Sequence, residues 1–406
     1  MFVCGAEECV ACNACFNICP QKCIIYKIDE LGKSSAYINL EKCIHCNLCK
    51  KVCPVLEIPN GNKSSECYAA WSLDSNIRNI SASGGVATEM YRYASKHNIL
   101  FAGVKINKEY EASYSLEKSD WKKFSNSKYV YSDTNNIYRD IKKNLRDGKK
   151  ILFIGLPCQV AGLINYLSVQ KCVTDNLVTA DLICHGVTPT NYLKEHIKNI
   201  IKDKANKVTN IYFRDPEFHT YTFTFSLRNN NKIIYSKKVY RNDTYQVGYH
   251  SGIAYRENCY RCKFARDFRV GDVTLSDFAG VGTIEKCNYD NKKVSCILIN
   301  TKKGKNYIQT LRQEGYIFLE NRPIEEEYKT EARLFSPTPV SLERIKFKEI
   351  YSKGESFDKS IKIAARKRII KNEIRYFLHI DFLRRIGSRI IPNFLKKYIK
   401  LILNLD

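Results

Sequence analysis

The sequence predicts an α+β module followed by an α/β domain that carries an antiparallel β insertion and ends in a basic helical tail. Three observations carry this. A cysteine run, C-x2-C-x2-C-x3-C-P, occurs twice near the N-terminus. Strand-turn-helix units follow, with cysteines placed where strands end. The final stretch concentrates Lys and Arg beside apolar residues at three- and four-residue steps.

The first run is Cys9, Cys12, Cys15, Cys19 and Pro20; the second is Cys43, Cys46, Cys49, Cys53 and Pro54. The spacing is recognised as that of bacterial two-cluster ferredoxins. Three closely spaced thiolates wrap one face of a cubane, and the fourth crosses to the partner cluster. Cys9, Cys12, Cys15 and Cys53 are thus expected to hold one 4Fe-4S centre, and Cys43, Cys46, Cys49 and Cys19 the other. The trailing prolines fix φ and turn the chain away. Structural zinc fits poorly, because it takes four ligands per site and has no use for a C-x2-C-x2-C triple. A disulfide framework fits worse, since nothing at the N-terminus resembles a signal peptide. Between the runs, Cys23–Ile28 and Ala36–Leu40 read as short strands joined by a turn at 29–32. Cys4 and Cys23 fall outside the quartets and read as bystanders.

The 406 residues exceed a small ferredoxin several-fold, so a module plus a large domain is expected. The expected divisions are 1–62 for the module, 66–340 for the α/β domain and 341–406 for the tail, with 59–65 as a polar linker. No apolar stretch approaches membrane-span length, which predicts a cytoplasmic protein. Eighteen cysteines in that compartment point to metal ligation. A net charge of +24 admits nucleic acid, an anionic membrane surface or an acidic partner.

Taken in order, 67–72 reads as a strand, and Ser83-Gly84-Gly85 leads into a helix from Val86. Such a turn offers bare N–H groups to a phosphate, or is a plain turn. A buried strand is expected over 99–106 and another over 150–155, the latter feeding a helix that opens at Leu156-Pro157-Cys158-Gln159. A third strand over 177–183 ends at Cys184-His185-Gly186. Strand ends at the rim of an α/β sheet are where such folds bind ligands. Alternation over 208–239, including 221–227, predicts the β insertion. Cys259 and Cys262 form a C-x2-C pair. With Cys158 and Cys184 they complete a further four-thiolate site, or they are a redox pair or a zinc half-site. In the tail, Lys359 to Lys400 hold about thirteen basic against two acidic residues. Leu383, Ile386, Ile390, Phe394, Tyr398 and Ile402 mark an amphipathic face for a membrane surface, a partner or domain capping.

Six short motifs in one order resemble the coenzyme F420 hydrogenase/dehydrogenase beta-subunit family: 81–85, Ser127-Lys128-Tyr129-Val130, Gly155–Gly162, Cys184–Gly186, Cys259–Cys262 and Gly271–Phe278. The resemblance spans about residues 66–320. It implies an FAD-binding domain (FMN being the lesser alternative) with a third 4Fe-4S cluster held by Cys158, Cys184, Cys259 and Cys262. It makes Ser83, Gly84 and Gly85 candidates for the flavin pyrophosphate. Lys128, Pro157 and Gln159 become candidates for the flavin ring or substrate pocket, with Lys128 and His185 in catalytic roles. The family commonly has tryptophan where this chain has Ala279, so the substrate need not be the deazaflavin. Similar bacterial members are associated with polysaccharide synthesis.

The expectation is therefore an iron–sulfur flavoprotein oxidoreductase exchanging electrons with a ferredoxin or another redox protein, and hydride with a small organic substrate. The alternative is an electron-input subunit feeding a partner enzyme. Peripheral contact with the inner face of the membrane is a role open to the tail. No nucleic-acid recognition motif accompanies the charge.

Overall fold

A computed structural model describes residues 1–202 and 208–377. The N-terminal module is built on a hairpin, β1 (Ile24–Ile28) and β2 (Ser34–Ile38), paired antiparallel. Two short helices, α1 (Ala14–Ile18) and α2 (Leu48–Lys51), each begin just before the third cysteine of a run.

The body of the chain is organised by a nine-stranded mixed sheet. In chain order its strands are β3 (Glu66–Ser72), β4 (Leu100–Ile106), β5 (Ala112–Glu117), β6 (Ser132–Asp133), β7 (Ile151–Gly155) and β8 (Leu177–Leu182). After the insertion strands β9 (Asn210–Tyr212), β10 (Thr224–Asn229) and β11 (Lys232–Lys238) come β12 (Val273–Asp277), β13 (Ser295–Ile299) and β14 (Ile317–Arg322). The spatial order is β14-β3-β13-β12-β8-β7-β4-β5-β6. The central strands β4, β7, β8 and β12 run parallel to one another, and antiparallel strands flank them. Every residue of β7 and β13 is buried, as expected of strands covered on both faces. The polar loops therefore collect at the strand ends, and Cys158 and Cys184 lie just beyond β7 and β8.

Helices cover both faces. On one side lie α3 (Val86–Lys96) and, further along the chain, α8 (Lys302–Gln313), which share an apolar core with Phe101, Leu152 and Ile297. On the other lie α4 (Ile137–Arg146) and α5 (Pro157–Val169), whose core runs without a break into the cysteine module. α5 starts where proline is favoured, with Pro157 in its first turn and Gln159 closing the N-terminal backbone.

The insertion forms a three-stranded antiparallel sheet, as the alternation predicts. The strand expected from residue 221 begins three residues later, at Thr224. His219 and Phe223 adopt left-handed φ of 60° and 50°, which breaks the extended run over 219–223 into tight turns. The 59–65 segment is also tied down: Asn62–Lys63 pair with Phe268–Arg269. Gly61 is required there, because a Cβ would sit 2.8 Å from the Phe268 carbonyl.

Helices α6 (Thr190–Ile201) and α7 (Thr244–His250) join the insertion to α9 (Leu342–Ser352) and α10 (Phe357–Ala364). Phe347, Phe357 and Ile361 are fully buried against Tyr192, Phe225 and Tyr245. The first part of the expected tail thus packs as core. The amphipathic positions from Leu383 to Ile402 lie outside the described residues. No helix among the described residues is long and apolar enough to cross a membrane.

Candidate metal centres

The cysteines singled out by spacing gather in three cavities, four to each. Cys9, Cys12, Cys15 and Cys53 line the first; Cys19, Cys43, Cys46 and Cys49 line the second. Cys158, Cys184, Cys259 and Cys262 line the third. The crossing of the fourth cysteine of each run is therefore present in the fold. A further surface depression, bordered by Tyr114, Asn136 and Lys143, contains no cysteine.

Among the described residues, no three Cys, His, Asp or Glu side chains crowd together as ligands of one metal ion. The thiolates of a cubane bond different irons and stand farther apart than those around a single zinc. Each run wraps its cavity with the same backbone device. Ala11 and Asn13 have φ of 52° and 60°, and their counterparts His45 and Asn47 have 55° and 57°. Left-handed backbone costs a non-glycine residue roughly 1 kcal/mol or more. Its repetition at matching positions marks the loop shape as one that the site requires.

Backbone N–H groups turn onto the sulfurs. The N–H of Ala36 donates to Cys9 Sγ at 3.3 Å, that of Cys23 to Cys19 Sγ at 3.4 Å and that of His45 to Cys43 Sγ at 3.4 Å. Such bonds favour the thiolate and raise the potential of a bound cluster. Cys4 and Cys23, read as bystanders, line the first and second cavities as fifth thiols. Hydrogen bonds to Cys53 and Cys9 push the Cys4 thiol up, and the same contact with Cys4 draws Cys9 down to about 5. Burial and its contact with Cys19, 3.4 Å between sulfurs, push Cys23 up to about 12. Both fifth cysteines are thus held towards the protonated thiol.

The third cavity is assembled from distant segments. Cys158 is held by the start of α5 and Cys184 by the loop after β8. Cys259 and Cys262 lie in and just after a short helical turn, Glu257–Arg261. Burial pushes the Cys158 and Cys184 thiols well up, and the other thiols of the quartet add to it. A buried ion pair fixes two of the segments. Arg269 Nη2 donates to Asp181 Oδ1 at 2.9 Å and to the Leu182 carbonyl at 3.1 Å, while its Nη1 donates to the Phe264 carbonyl at 3.2 Å. Asp181 also accepts from Val270 N, Gly271 N and Thr274 Oγ1. The Gly271–Phe278 motif is accordingly a fastening of β12 to β8.

The module is locked onto this cavity. Buried Arg256, which lines it, donates to the Val10 and Ser34 carbonyls at 3.0 Å each. Tyr131 Oη donates to the Ala11 carbonyl at 2.7 Å, and Thr134 Oγ1 to that of Cys12 at 2.8 Å. Val10 borders both the first and the third cavity. Gly162 of α5 lets Cys12 approach: a Cβ there would stand 2.9 Å from Cys12 Sγ.

The other expected residues have varied placements. Pro157 and His185 line the third cavity. His185 is 52% exposed and pairs with Glu331 at 2.9 Å. Gln159 also lines it, but its amide is engaged inside the protein. Its Oε1 accepts from Tyr114 Oη and Leu156 N, and its Nε2 donates to Ser132. The Lys128 ammonium donates to three carbonyls, of Phe124, Ser125 and Asn126, and burial draws it down to about 7. The Ser83 hydroxyl donates to the Val294 carbonyl, and the Gly84 amide to Ser295 Oγ. Gly85 caps α3 with a φ of 94°. Ala279 is exposed and does not line the third cavity. Sequence reading missed Arg256 and two further polar lining residues. Arg333 Nη1 and Asn258 Oδ1 are buried there without partners. Arg333 lies in a short helical turn, Ala332–Leu334, beyond every motif, so no spacing marked it.

Residues 8–56 match the 4Fe-4S dicluster domain family. Residues 148–325 match the family that describes the C terminus of the coenzyme F420 hydrogenase/dehydrogenase beta subunit. The chain thus carries one stretch similar to each of these two families, in the order that the motifs indicated. No curated protein matches the chain. A chain of the F420-reducing NiFe hydrogenase complex from Methanosarcina barkeri is similar at 17% identity and a TM-score of 0.41. The likeness covers 76% of this chain and 94% of that one, and it carries no argument about function.

Proposed function

We propose that the chain is an electron-transfer oxidoreductase in which three 4Fe-4S clusters occupy the three cysteine cavities in a line. Cys19, Cys43, Cys46 and Cys49 hold the outer cluster, Cys9, Cys12, Cys15 and Cys53 the middle one, and Cys158, Cys184, Cys259 and Cys262 the inner one. The supporting observation is the shared boundary. Val10 and Cys12 place the middle cavity against the inner one, and Cys46 leaves the outer one at the surface. Electrons then pass one at a time between the surface and the sheet rim.

At the inner end, the reading assigns a flavin, FAD before FMN, and a small organic substrate. A bound flavin supplies the exchange between single electrons and a hydride. The chain's own contribution there is the open side of the inner cavity. Arg333 brings a guanidinium whose Nη1 lacks a partner, suited to an anionic group, and His185, steadied by Glu331, can hold a proton at Nε2. Lys128 is not among the residues lining this cavity, and its ammonium is held by the Phe124, Ser125 and Asn126 carbonyls, so the reading gives it no role at the inner end.

The test is Cys158→Ser. Under anaerobic conditions a low-potential donor should still reduce the outer and middle clusters of the variant, while the inner cluster and any bound flavin stay oxidised. Flavin reduction at the wild-type rate would overturn the wiring. Absence of flavin from wild-type protein, with twelve irons present, would leave the electron-input role feeding a partner enzyme.

A further inference from the structure

The outer cysteine cavity opens on the surface, and its surroundings have a chemistry of their own. Of the eighteen cysteines, Cys46 alone is exposed, and Cys43 and Cys49 beside it are half-buried. The quartet of the middle cavity is wholly buried. The outer rim is apolar at its centre: Ile44 is 58% exposed, Leu40 50% and Met1 46%. Four exposed lysines, Lys22, Lys42, Lys50 and Lys51, belong to the segments that line the cavity, three of them next in the chain to Cys23, Cys43 and Cys49. None is in a salt bridge among the described residues, and the exposed carboxylate of Glu41 lies within the same segment. Exposed apolar and cationic side chains on the segments that carry the most exposed cysteine have the composition of a docking face.

We propose that this face is the electron port of the protein and that its partner is an acidic one-electron carrier protein. The inference rests on the iron–sulfur reading above. The lysines attract and orient a carrier whose own redox centre is framed by carboxylates, and Ile44, Leu40 and Met1 exclude water at closest approach. One electron crosses per encounter: the carrier is oxidised by one electron and the outer cluster reduced by one, with no proton or bond exchanged. Their charge is a steering device, so it acts on the association rate and fades with salt.

The experiment uses full-length protein with clusters assembled and reduced flavodoxin as the acidic probe, followed by stopped-flow absorbance. Lys22→Glu, Lys42→Glu, Lys50→Glu and Lys51→Glu are combined in one variant. A control variant carries the same charge change on the opposite face of the sheet, at Lys96, Lys122, Lys302 and Arg312. At low salt the rim variant should lose about tenfold or more in second-order rate while the control loses little. The wild-type rate should fall steeply between about 0.05 and 0.5 M salt. Reduced methyl viologen, a small cation, should reduce wild type and rim variant equally well, or the variant faster. Equal flavodoxin rates in the two variants would overturn the port, because the effect would then belong to overall charge. A salt-independent wild-type rate would overturn it without any variant. Failure of methyl viologen to reduce wild-type protein would instead strike the iron–sulfur reading itself.

Discussion

At Gly162 the helix α5 packs closely on the cysteine module, and its replacement tests whether that approach matters. It lies inside α5, a helix that also carries Cys158. In an isolated helix, Gly162→Ala would gain about 1 kcal/mol from propensity and lost chain entropy. Here the added Cβ would stand 2.9 Å from Cys12 Sγ and 3.1 Å from Tyr138 Oη, both in fixed surroundings. Ordinary contact at those atoms needs several tenths of an ångström more, and overpacking of that kind costs about 1–3 kcal/mol. The alanine variant should therefore be neutral to about 2 kcal/mol less stable. Gly162→Val adds two more carbons and loses helix propensity, so it should fall at or beyond the upper end, with displacement of Cys12 as the cheapest relief. The assay is anaerobic iron content with low-temperature EPR of reduced protein, beside guanidinium unfolding. For the valine variant, altered signals or iron loss at the middle cluster and weakened coupling to the inner one are expected. A valine variant with full iron and wild-type spectra would refute the reasoning, and Gly162 would be ordinary helix filler.

Other perturbations read other parts of the account. Arg269→Leu leaves buried Asp181 without its cation, a loss of about 3–5 kcal/mol, and should release the Cys262 segment. Iron should drop by about four with the module's two clusters intact; unchanged iron would contradict the fastening role. Cys23→Ala should retain all its iron but lower the potential of the outer cluster, because a thiol donor to Cys19 is removed. Loss of about four irons would make Cys23 a ligand. His196 is clamped between Asp243 and Asp358, whose charges overcome burial and raise it to about 9 from 6.5. Its folded pKa is raised, so the stabilisation is full below about pH 6.5 and lost as pH rises towards 9, about 3 kcal/mol in all. His196→Gln should flatten the pH dependence of unfolding over that window; an unchanged slope would assign it elsewhere.

Much of this was legible in the sequence because cluster ligation is written in spacing. The doubled run named two quartets, and the rim positions of Cys158 and Cys184 followed from strands that end at Gly155 and Leu182. Burial on both faces made β7 readable as an uninterrupted apolar run. What stayed hidden depends on pairing across the chain. Ser295–Ile299 and Ile317–Arg322 join the sheet beside β3 through long-range ladders that no local period announces. The break at Phe223 is a left-handed residue inside an alternating run, and alternation alone predicts strand there. Arg256, Arg269 and Arg333 resemble surface cations in a basic sequence. Only their burial beside Val10, Asp181 and the inner cavity separates them from the rest. Gln159 and Lys128 illustrate the converse: their motifs stand out, yet their polar atoms are bound to the protein's own backbone and side chains.

The most direct test of the account is iron, sulfide and flavin measured on one anaerobic sample of wild-type protein and of the variant with Cys158, Cys184, Cys259 and Cys262 all replaced by serine. The account predicts about twelve irons in the wild type and about eight in the variant, with the module's spectra retained. About eight in both would contradict it, since the third quartet would then hold no cluster and the line of centres would stop at Cys12.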